Sequence, residues 1–341
     1  MRQIVFSRYG EPCDVLRLSD RPVPEPGAGQ VRVRLHASPV NPSDLLLVRG
    51  RYGRPAAFRS GPHPDRSTAS PVGFEGAGVV DAVGADAPLR VGERVAVSAL
   101  GTWAEYVVAD AADVVPVPET LPDDVACQLT INPVTAQLLL DELDELSVDQ
   151  GDLVLLTAAG SAVGRMLVRL AHGRGLRCLC LVRDERHRPA LLEAGAEAVL
   201  VQDDEGVGRR LAALADGRGV AAVLDAVGGA AGTLALRALR DQGRFISYGM
   251  FSGRPVSVDP DELVFRGITL TGFWLPERLG RLPADEVGRL IRGIARRLAD
   301  GQAGGESFAV PEAERFDLAD VARAVRHTPS PGRMSKAVLT S

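Results

Sequence analysis

Lysine and cysteine are scarce in this sequence. The chain of 341 residues has one lysine, Lys336, and four cysteines. The cysteines have neither the close pairs of a zinc knuckle nor the spacing of a disulfide framework; they are Cys13, Cys127, Cys178 and Cys180. Reduced thiols and the lack of a signal-peptide pattern lead us to expect a cytoplasmic protein.

Long apolar runs and a strong excess of one charge are also missing. No apolar stretch is long enough to predict a membrane-spanning helix. The formal net charge is −5, so the chain lacks the basic field that attracts nucleic acid or a membrane surface. Its apolar fraction of 45% is that of a soluble globular protein, and its length suits two domains.

One stretch, Leu153–Asp184, has the pattern of a strand, a turn, a helix and a second strand. Leu153–Thr157 and Cys178–Val182 are apolar runs of strand length. Between them, small residues occupy Ala158–Gly164, and apolar residues then recur at helical spacing until Gly173. Because parallel strands need such a crossover, we predict a βαβ unit.

The small-residue turn is a candidate phosphate site. A helix N-terminus presents free N–H groups and a positive dipole end to an anion. The usual fingerprint is G-x-G-x-x-G, and its three glycine positions here are Ala159, Ser161 and Gly164. The alternative is a small-residue turn of any α/β domain, but the strand–turn–helix context favours a nucleotide site.

The end of the second predicted strand indicates which nucleotide is bound. An acidic residue alone would favour NAD, and Asp184 is present. Arg183 precedes it, and Arg186 and Arg188 follow. Guanidinium groups suit a 2′-phosphate, so we expect NADPH rather than NADH. A solvated basic loop is the alternative.

The pattern along the chain indicates two domains. Residues 1–120 contain short strand-like runs between Pro/Gly turns, typical of a small barrel or sandwich. From Gly151 onward strands and helices alternate, which predicts an α/β domain with a doubly wound parallel sheet. We assign 128–275 to the nucleotide domain and 1–127 with 276–341 to the β domain, to which the tail is expected to return.

Four local predictions follow. Ser43 is a possible cap of a short helix that opens in Pro39–Asp44, and Trp103–Val108 is a predicted strand. Residues 53–72 form a long Pro/Arg/Ser loop, which is expected to be functional or mobile. Asp225 is expected to order the turn after its strand.

The segment Val72–Val80 resembles the medium-chain dehydrogenase/reductase superfamily, which combines a GroES-like β-barrel with a Rossmann domain. In its zinc alcohol dehydrogenases a ligand histidine stands where this chain has Phe74. A ligand cysteine belongs in the segment that here reads Pro39–Asp44, which has none. The resemblance is therefore to the zinc-free branch, and no metal is expected.

Within that branch the chain most resembles the mitochondrial type of 2-enoyl thioester reductase. One departure is Phe74, where that family has Asn before the residue matching Glu75. The matching segments are Asn41–Asp44, Gly50–Tyr52, Gly101–Trp103, Asn132–Ala136, Ser161–Gly164, Val182–Asp184, Asp225–Gly229, Ser247–Met250, Gly272–Leu275 and Ser335–Lys336.

The resemblance implies roles for individual residues. Tyr52 matches the catalytic tyrosine; packing under a turn is the alternative. Four other residues with an implied role in binding also have structural alternatives. Trp274 would be an edge-strand core residue, Asn132 and Thr135 would be helix caps, and Lys336 would be a surface lysine. The implied cofactor-binding residues are Asn132, Ser161, Ala162, Val163, Gly164, Arg183, Asp184, Tyr248, Gly249, Met250, Phe251, Phe273, Trp274, Leu275 and Lys336.

The implied activity is the NADPH-dependent reduction of a conjugated C=C bond in a 2-enoyl thioester of CoA or an acyl carrier protein. The alternatives are a zinc-independent reductase of quinones or enones, a reductase of specialised metabolism, and a nucleotide-binding protein without turnover. The resemblance also implies a homodimer that pairs through Gly267–Phe273, which would otherwise be an exposed apolar edge.

Overall fold

The computed structural model describes residues 1–58, 69–302, 310–328 and 334–341. The chain divides into two compact units. The N-terminal unit contains Met1–Ile131 and the described chain from Ala284 onward, and the central unit contains Asn132–Pro283. The predicted boundaries lie before residues 128 and 276, and these divisions lie before Asn132 and Ala284, four and eight residues further along the chain. None of the helices that the structure describes is long and apolar enough to cross a membrane.

The N-terminal unit is built on β-sheets. Its first part contains the strands β1 (Arg2–Phe6), β2 (Arg17–Asp20), β3 (Gln30–Pro39), β4 (Ser70–Pro71), β5 (Glu75–Val83), β6 (Arg94–Ser98), β7 (Tyr106–Asp110) and β8 (Val114–Pro116) and the helices α1 (Pro12–Val15), α2 (Pro42–Val48) and α3 (Asp123–Ala126). Strand β3 alternates apolar and polar residues, so one face packs into the core through Val31, Val33 and Leu35.

The central unit is an α/β layer structure. Its elements are α4 (Asn132–Glu145), β9 (Leu153–Leu156), α5 (Ala162–Gly173), β10 (Arg177–Val182), α6 (Arg188–Glu193), β11 (Ala196–Val201), α7 (Val207–Leu214), β12 (Val220–Asp225), α8 (Gly229–Arg237), β13 (Leu239–Ser247), α9 (Pro260–Val264), β14 (Thr269–Gly272) and α10 (Leu275–Gly280). The parallel strands follow the order β11-β10-β9-β12-β13-β14. The central strands β9 and β12 are buried throughout, which explains why they are apolar except for Asp225 at the end of β12.

This strand order confirms the predicted doubly wound sheet. The chain leaves β11 at one edge and resumes on the other side of β9 with β12, so the order reverses between β9 and β12. Such a switch point opens a crevice at the carboxyl ends of the strands, where open α/β sheets bind ligands.

The tail returns to the N-terminal unit, as predicted. It contains α11 (Ala284–Gln302), β15 (Ala313–Asp317), α12 (Val321–His327) and β16 (Lys336–Thr340). Strand β16 pairs antiparallel with β3 and parallel with β15. The sheet of this unit has the order β15-β16-β3-β5-β6-β8, and β7 also pairs with β3. Lys336 thereby enters the interior of the unit.

Two local predictions were wrong. Helix α2 has Asn41 rather than Ser43 as its N-cap, because Pro42 has a fixed φ and lacks an N–H, which suits it to the first helical position. The predicted strand Trp103–Val108 begins only at Tyr106. Trp103 is buried instead, and its indole Nε1 donates to the Pro39 carbonyl at 3.1 Å. Of the predicted 53–72 loop, residues 59–68 lie outside the described residues.

Candidate active-site and cofactor-binding residues

The turn Ala158–Gly164 of the central unit, here called the phosphate turn, joins β9 to α5. Ser161 is the N-cap of α5, and its Oγ accepts the Gly164 N–H at 3.1 Å. The first N–H groups of a helix have no acceptor within it, so those of Ala162 and Val163 are the donors that this turn presents to an anion. The predicted strand–turn–helix context is confirmed.

Gly164 is the one fingerprint glycine that this chain retains. A Cβ atom at this position would lie 2.6 Å from the Ala159 carbonyl oxygen and 2.7 Å from that of Ala158. Backbone atoms cannot move away as a flexible side chain can, so the contact requires glycine. Ser161 has a φ of −70°, and Ala159 is not among the residues with a positive φ, so neither needs glycine for its backbone conformation and the turn forms without the other two glycines.

Arg183 and Asp184 lie directly after β10. Arg183 is exposed, and among the described residues no ion pair engages it. The Asp184 carboxylate accepts the Arg186 N–H at 2.9 Å and pairs with the Arg186 guanidinium at 2.6 Å. These bonds lower the pKa of Asp184 to about 2, so it is ionised. Because Asp184 is already engaged by Arg186, Arg183 is the cation that this loop offers to a ligand.

His187 was missed by the sequence analysis. It ends a short 3₁₀ turn after β10, and its ring fills the space beside Gly160 of the phosphate turn: a Cβ there would lie 2.5 Å from Cγ and Cδ2 of the ring. Burial and the nearby Arg165 lower the pKa of His187, which favours the neutral ring. No periodic pattern could have revealed this contact, because it arises from the adjacency of β9 and β10.

The next predicted residues, Asp225 and Tyr248, lie at the ends of β12 and β13, beyond the switch point. Asp225 ends β12, and its Oδ1 accepts the Thr157 hydroxyl at 2.6 Å while its Oδ2 accepts the Gly228 N–H at 2.9 Å. Asp225 therefore orders its turn, as predicted. Tyr248 follows β13, and burial raises the pKa of its hydroxyl well above the ordinary value. That hydroxyl is buried and finds no hydrogen-bond partner within the described ranges.

The remaining predicted cofactor residues of the central unit differ in burial. Met250 and Phe251 are exposed, with 45% and 52% of their surface accessible. Phe273 is buried, and its N–H donates to the Ser247 carbonyl at 2.8 Å. Trp274 is the half-buried N-cap of α10, so Leu275 lies in a helix. Asn132, also buried, opens α4.

Most of these residues share one edge of the sheet. The phosphate turn follows β9, Arg183 follows β10, Tyr248–Phe251 follow β13, and Phe273–Leu275 follow β14. Since the strands are parallel, all four segments leave the sheet at its carboxyl edge. The sheet therefore brings together most of the residues that the resemblance assigns to the cofactor, but not Asn132, which opens α4, or Lys336, which belongs to the N-terminal unit.

Tyr52 belongs to the N-terminal unit. It follows α2 in a short irregular segment and is half-buried. Its ring lies against Phe74, with centroids 4.9 Å apart and planes tilted by 34°. Phe74, the residue that departs from the family pattern, thus forms one wall of the tyrosine's surroundings.

A second group in this unit, here called the buried polar cluster, consists of Asn41, Asp44, Glu75, Thr130 and Lys336. Glu75 Oε1 accepts Asn41 Nδ2 at 2.8 Å, and its Oε2 accepts both the N–H and the hydroxyl of Thr130 at 3.0 Å. Lys336 Nζ donates to Asn41 Oδ1 at 2.5 Å. Asp44 Oδ2 accepts the Asn41 N–H at 2.7 Å.

Burial shifts the pKa of both carboxyl groups in the buried polar cluster. Burial raises the pKa of Asp44 to about 8, so this carboxyl is protonated at neutral pH. Burial also raises the pKa of Glu75, and the bond from Asn41 and the charge of Lys336 oppose that rise. Glu75 and Lys336 are both almost completely buried. The alternative that Lys336 is a surface lysine is wrong, because only 2% of it is exposed. Its contact with a cofactor stays a prediction.

The polar residues described here do not form a metal centre. Within the described part of the chain, no group of three or more His, Cys, Asp or Glu side chains could hold a metal ion. At the position of the superfamily's histidine ligand, Phe74 presents a ring that packs against Tyr52.

Comparisons with known proteins agree with both units. Residues 27–119 match the family model of the alcohol dehydrogenase GroES-like domain, and residues 162–291 match that of the zinc-binding dehydrogenases. A Bacillus thuringiensis structure described as an NADPH:quinone reductase is 29% identical, with a TM-score of 0.88 over 100% of this chain and 98% of that one. A mycobacterial protein solved with NADPH is 28% identical, with a TM-score of 0.84 over 100% of both chains.

The sequence comparison narrows the family further. The mitochondrial enoyl-[acyl-carrier-protein] reductase of Arabidopsis thaliana is 31% identical over 326 residues, which are 93% of this chain and 83% of the plant protein. The similarity thus spans both units and the returning tail. The chain belongs to the medium-chain dehydrogenase/reductase superfamily, in the branch that contains the 2-enoyl thioester reductases.

Proposed function

We propose that this protein is an NADPH-dependent reductase of a conjugated C=C bond, acting on a 2-enoyl thioester of CoA or an acyl carrier protein. The main support for this proposal is the carboxyl edge of the parallel sheet, where the phosphate turn and the exposed Arg183 follow neighbouring strands. The substrate class rests on the 31% identity with the plant enoyl-[acyl-carrier-protein] reductase.

The residues at this edge fit NADPH. The α5 N-terminus supplies N–H donors for a pyrophosphate, and Gly164 lets the helix approach the carbonyls of the preceding turn closely. Arg183 supplies the guanidinium that a 2′-phosphate needs, while Asp184 is engaged by Arg186. When bound, the nicotinamide of the cofactor supplies the hydride.

In this proposal Tyr52 is the residue that acts on the substrate. Hydride addition to the β-carbon of an enoyl thioester moves negative charge onto the thioester oxygen. A tyrosine hydroxyl can donate a hydrogen bond to that oxygen, or pass its proton to the α-carbon. Phe74 packs against the ring of Tyr52 and limits its rotation.

Consumption of NADPH measured with four acceptors tests the proposal. The acceptors are crotonyl-CoA, a longer 2-enoyl-CoA, a quinone and a simple enone, each repeated with NADH. We expect turnover on the thioesters with NADPH preferred. Binding of NADPH without its oxidation by any acceptor would instead favour a protein without turnover, and the proposal would fail.

Replacing Tyr52 tests the catalytic assignment. Because the hydroxyl is the reacting group, we expect Tyr52→Phe to lower kcat on the thioester by at least about a hundredfold. Tyr106→Phe is the matched control, since Tyr106 lies in β7 with its ring near Arg32. Equal kcat values for wild type and Tyr52→Phe would show that the assignment is wrong.

A second candidate function is the reduction of quinones or enones. It is favoured by the similarity to the Bacillus thuringiensis protein and by Phe74, which gives the surroundings of Tyr52 an apolar wall. Turnover on the quinone or enone alone would support it. Turnover on none of these four acceptors, but on another unsaturated compound in a wider acceptor panel, would point to a reductase of specialised metabolism.

We also propose that the protein is a cytoplasmic homodimer. Strand β14 is the edge of the sheet, and 38% of Leu270 is exposed on it. The preceding segment exposes 71% of Val264 and 84% of Phe265. A second copy would pair the edge and cover these side chains. Light scattering should give twice the mass of one chain for the wild type and the mass of one chain for Leu270→Lys. A monomeric wild type would contradict the dimer. Cell fractionation tests the cytoplasmic location.

A further inference from the structure

One side chain contacts both ends of the segment that carries Tyr52. Gly50 follows α2 with a φ of +69°, in the left-handed region that favours glycine. A Cβ at Gly50 would lie 2.9 Å from Cγ of the Tyr9 ring, so this backbone rests on that ring. Six residues later, the Ala56 N–H donates to the Tyr9 hydroxyl at 3.0 Å. Tyr52 lies between these two contacts.

Tyr9 is itself held by aromatic neighbours. Its ring meets Phe58 edge-on, with centroids 5.0 Å apart and planes at 66°. It also lies 6.4 Å from the ring of Phe6, which is buried in the core at the end of β1. Tyr9 is 42% exposed, and its ring has Phe58 and the core residue Phe6 as neighbours as well as the segment that it contacts.

The residues after Tyr9 hold the end of α2. The Gly10 N–H donates to the Val48 carbonyl at 3.1 Å, and Glu11 pairs with the Arg49 guanidinium at 3.0 Å. The Arg51 N–H in turn donates to the Leu46 carbonyl at 2.9 Å. The backbone leading into Tyr52 is thus held up to residue 51, and the bond from Ala56 to Tyr9 is one of the contacts that hold the backbone after it.

A further bond lies next to Ala56. The Ala57 N–H donates to Ser70 Oγ at 3.1 Å, and Ser70, in β4, is fully buried. The N–H groups of the consecutive residues Ala56 and Ala57 therefore donate to two different side chains. Of these two side chains, Tyr9 is the one whose ring also contacts Gly50.

We propose that Tyr9 is a positioning residue for Tyr52: its ring and hydroxyl together set the conformation of residues 50–56 and so the place of the Tyr52 hydroxyl. This inference rests on the proposed function, in which Tyr52 acts on the substrate. Displacing a reacting group by about 1 Å can lower a rate by about a hundredfold, so the loss of one anchor is measurable in kcat.

A double-mutant cycle separates positioning from general stability. Tyr9→Phe keeps the ring against Gly50 and Phe58 and removes only the bond to Ala56. We expect it to lower kcat by about tenfold in the wild type, and to have no further effect in the Tyr52→Phe background. KM for NADPH and the thermal midpoint should change little. Tyr106→Phe, the matched control, should leave kcat unchanged.

The outcomes are distinct. Unchanged kcat in Tyr9→Phe would overturn the proposal, and so would an equal loss of kcat in both backgrounds, because Tyr9 would then act independently of Tyr52. A kcat loss that disappears when the temperature is lowered below the midpoint of Tyr9→Phe would indicate stability alone and also overturn it. Full activity of Tyr52→Phe would instead refute the catalytic assignment, whatever Tyr9→Phe does.

Discussion

The phosphate turn and the buried polar cluster use different parts of the chain to form a polar site. In the phosphate turn, backbone N–H groups at the start of α5 are the donors, and one side chain, Ser161, caps the helix. In the buried polar cluster, side chains from α2, β5 and β16 satisfy one another, as between Glu75, Asn41 and Lys336. The first needs a backbone that no side chain blocks, whereas the second needs each of its side-chain partners.

This difference leads to opposite expectations for mutation. A backbone site is lost when a side chain blocks the backbone, and a side-chain site is lost when one partner is removed. The predictions below change one determinant at a time and run from the largest expected effect to the smallest.

Removing the cation of the buried polar cluster should have the largest effect on stability. In Lys336→Met, Asn41 loses its donor and the buried Glu75 carboxylate loses its countercharge. Breaking a buried pair by removing one partner typically costs about 3–5 kcal/mol, so we expect the free energy of unfolding to fall by that amount. Urea unfolding followed by circular dichroism measures it.

Two further variants control this prediction. Arg90→Met removes a cation from an exposed position and should change the free energy of unfolding by less than about 0.5 kcal/mol. Adding Glu75→Gln to Lys336→Met removes the uncompensated charge and should restore part of the loss. If Lys336→Met and Arg90→Met have the same stability, the cluster does not depend on its cation.

Blocking the backbone of the phosphate turn should have the next largest effect. The Cβ of Gly164→Ala would lie within 2.7 Å of two carbonyl oxygens, so the turn or the helix must shift. We expect a loss of about 1–3 kcal/mol in the free energy of unfolding and weaker NADPH binding by fluorescence titration. Gly173→Ala, at the other end of α5 with nothing within 4 Å of its Cβ, is the matched control.

The control separates sterics from helix propensity. Alanine is a better helix former than glycine by about 1 kcal/mol, so Gly173→Ala should be neutral or stabilising. Equal behaviour of the two variants would mean that the close approach at Gly164 has no consequence for the turn.

The phosphate turn and the buried polar cluster also differ in how much of them could be predicted from the sequence. The βαβ unit, the Ser161 turn and the six-stranded sheet depend on local periodicity and neighbouring small residues, and they were predicted correctly. The contact of His187 with the phosphate turn, the bonds of Lys336 to Asn41 and the two contacts of Tyr9 join residues far apart in the chain. No pattern within one segment encodes them, because they arise only after the strands have paired.

Local misjudgements have a different cause. Ser43 looked like a cap because serine is a good one, but Pro42 occupies the first helical position and leaves Asn41 to precede it. Trp103 extended an apolar run, yet its indole needs the Pro39 carbonyl and a fully buried place in the core. In both cases one residue's specific chemistry outweighed the pattern around it.

The cofactor preference provides a smaller test. Arg183 has no ion pair among the described residues, whereas Arg186 is paired with Asp184 at 2.6 Å. A charge-assisted hydrogen bond contributes about 1.5–3 kcal/mol, so Arg183→Gln should lower the preference for NADPH over NADH by about tenfold or more. Arg186→Gln should change it less. The ratio of kcat/KM for the two cofactors measures the preference, and equal ratios in the two variants would remove Arg183 from the 2′-phosphate site.

The pH dependence of stability gives the most gradual effect. Burial raises the pKa of Asp44 from an ordinary 3.8 to about 8 in the native state. A carboxyl whose native pKa is raised binds its proton more tightly in the folded chain, so its contribution is complete below the unfolded value and is lost as the pH rises towards about 8. The free energy of unfolding should therefore decline over this range, by at most about 1.4 kcal/mol per pH unit for one proton.

Asp44→Asn isolates this contribution. The amide is neutral at every pH and can still accept the Asn41 N–H, so the variant resembles the protonated carboxyl without its titration. Its unfolding free energy should depend less steeply on pH than that of the wild type, and the residual slope should include Glu75, whose pKa burial also raises. Asp14→Asn, in the exposed part of α1, is the matched control. If Asp44→Asn and the wild type give parallel curves, the Asp44 carboxyl is not held in its protonated form, and the buried polar cluster must balance its charges in another way.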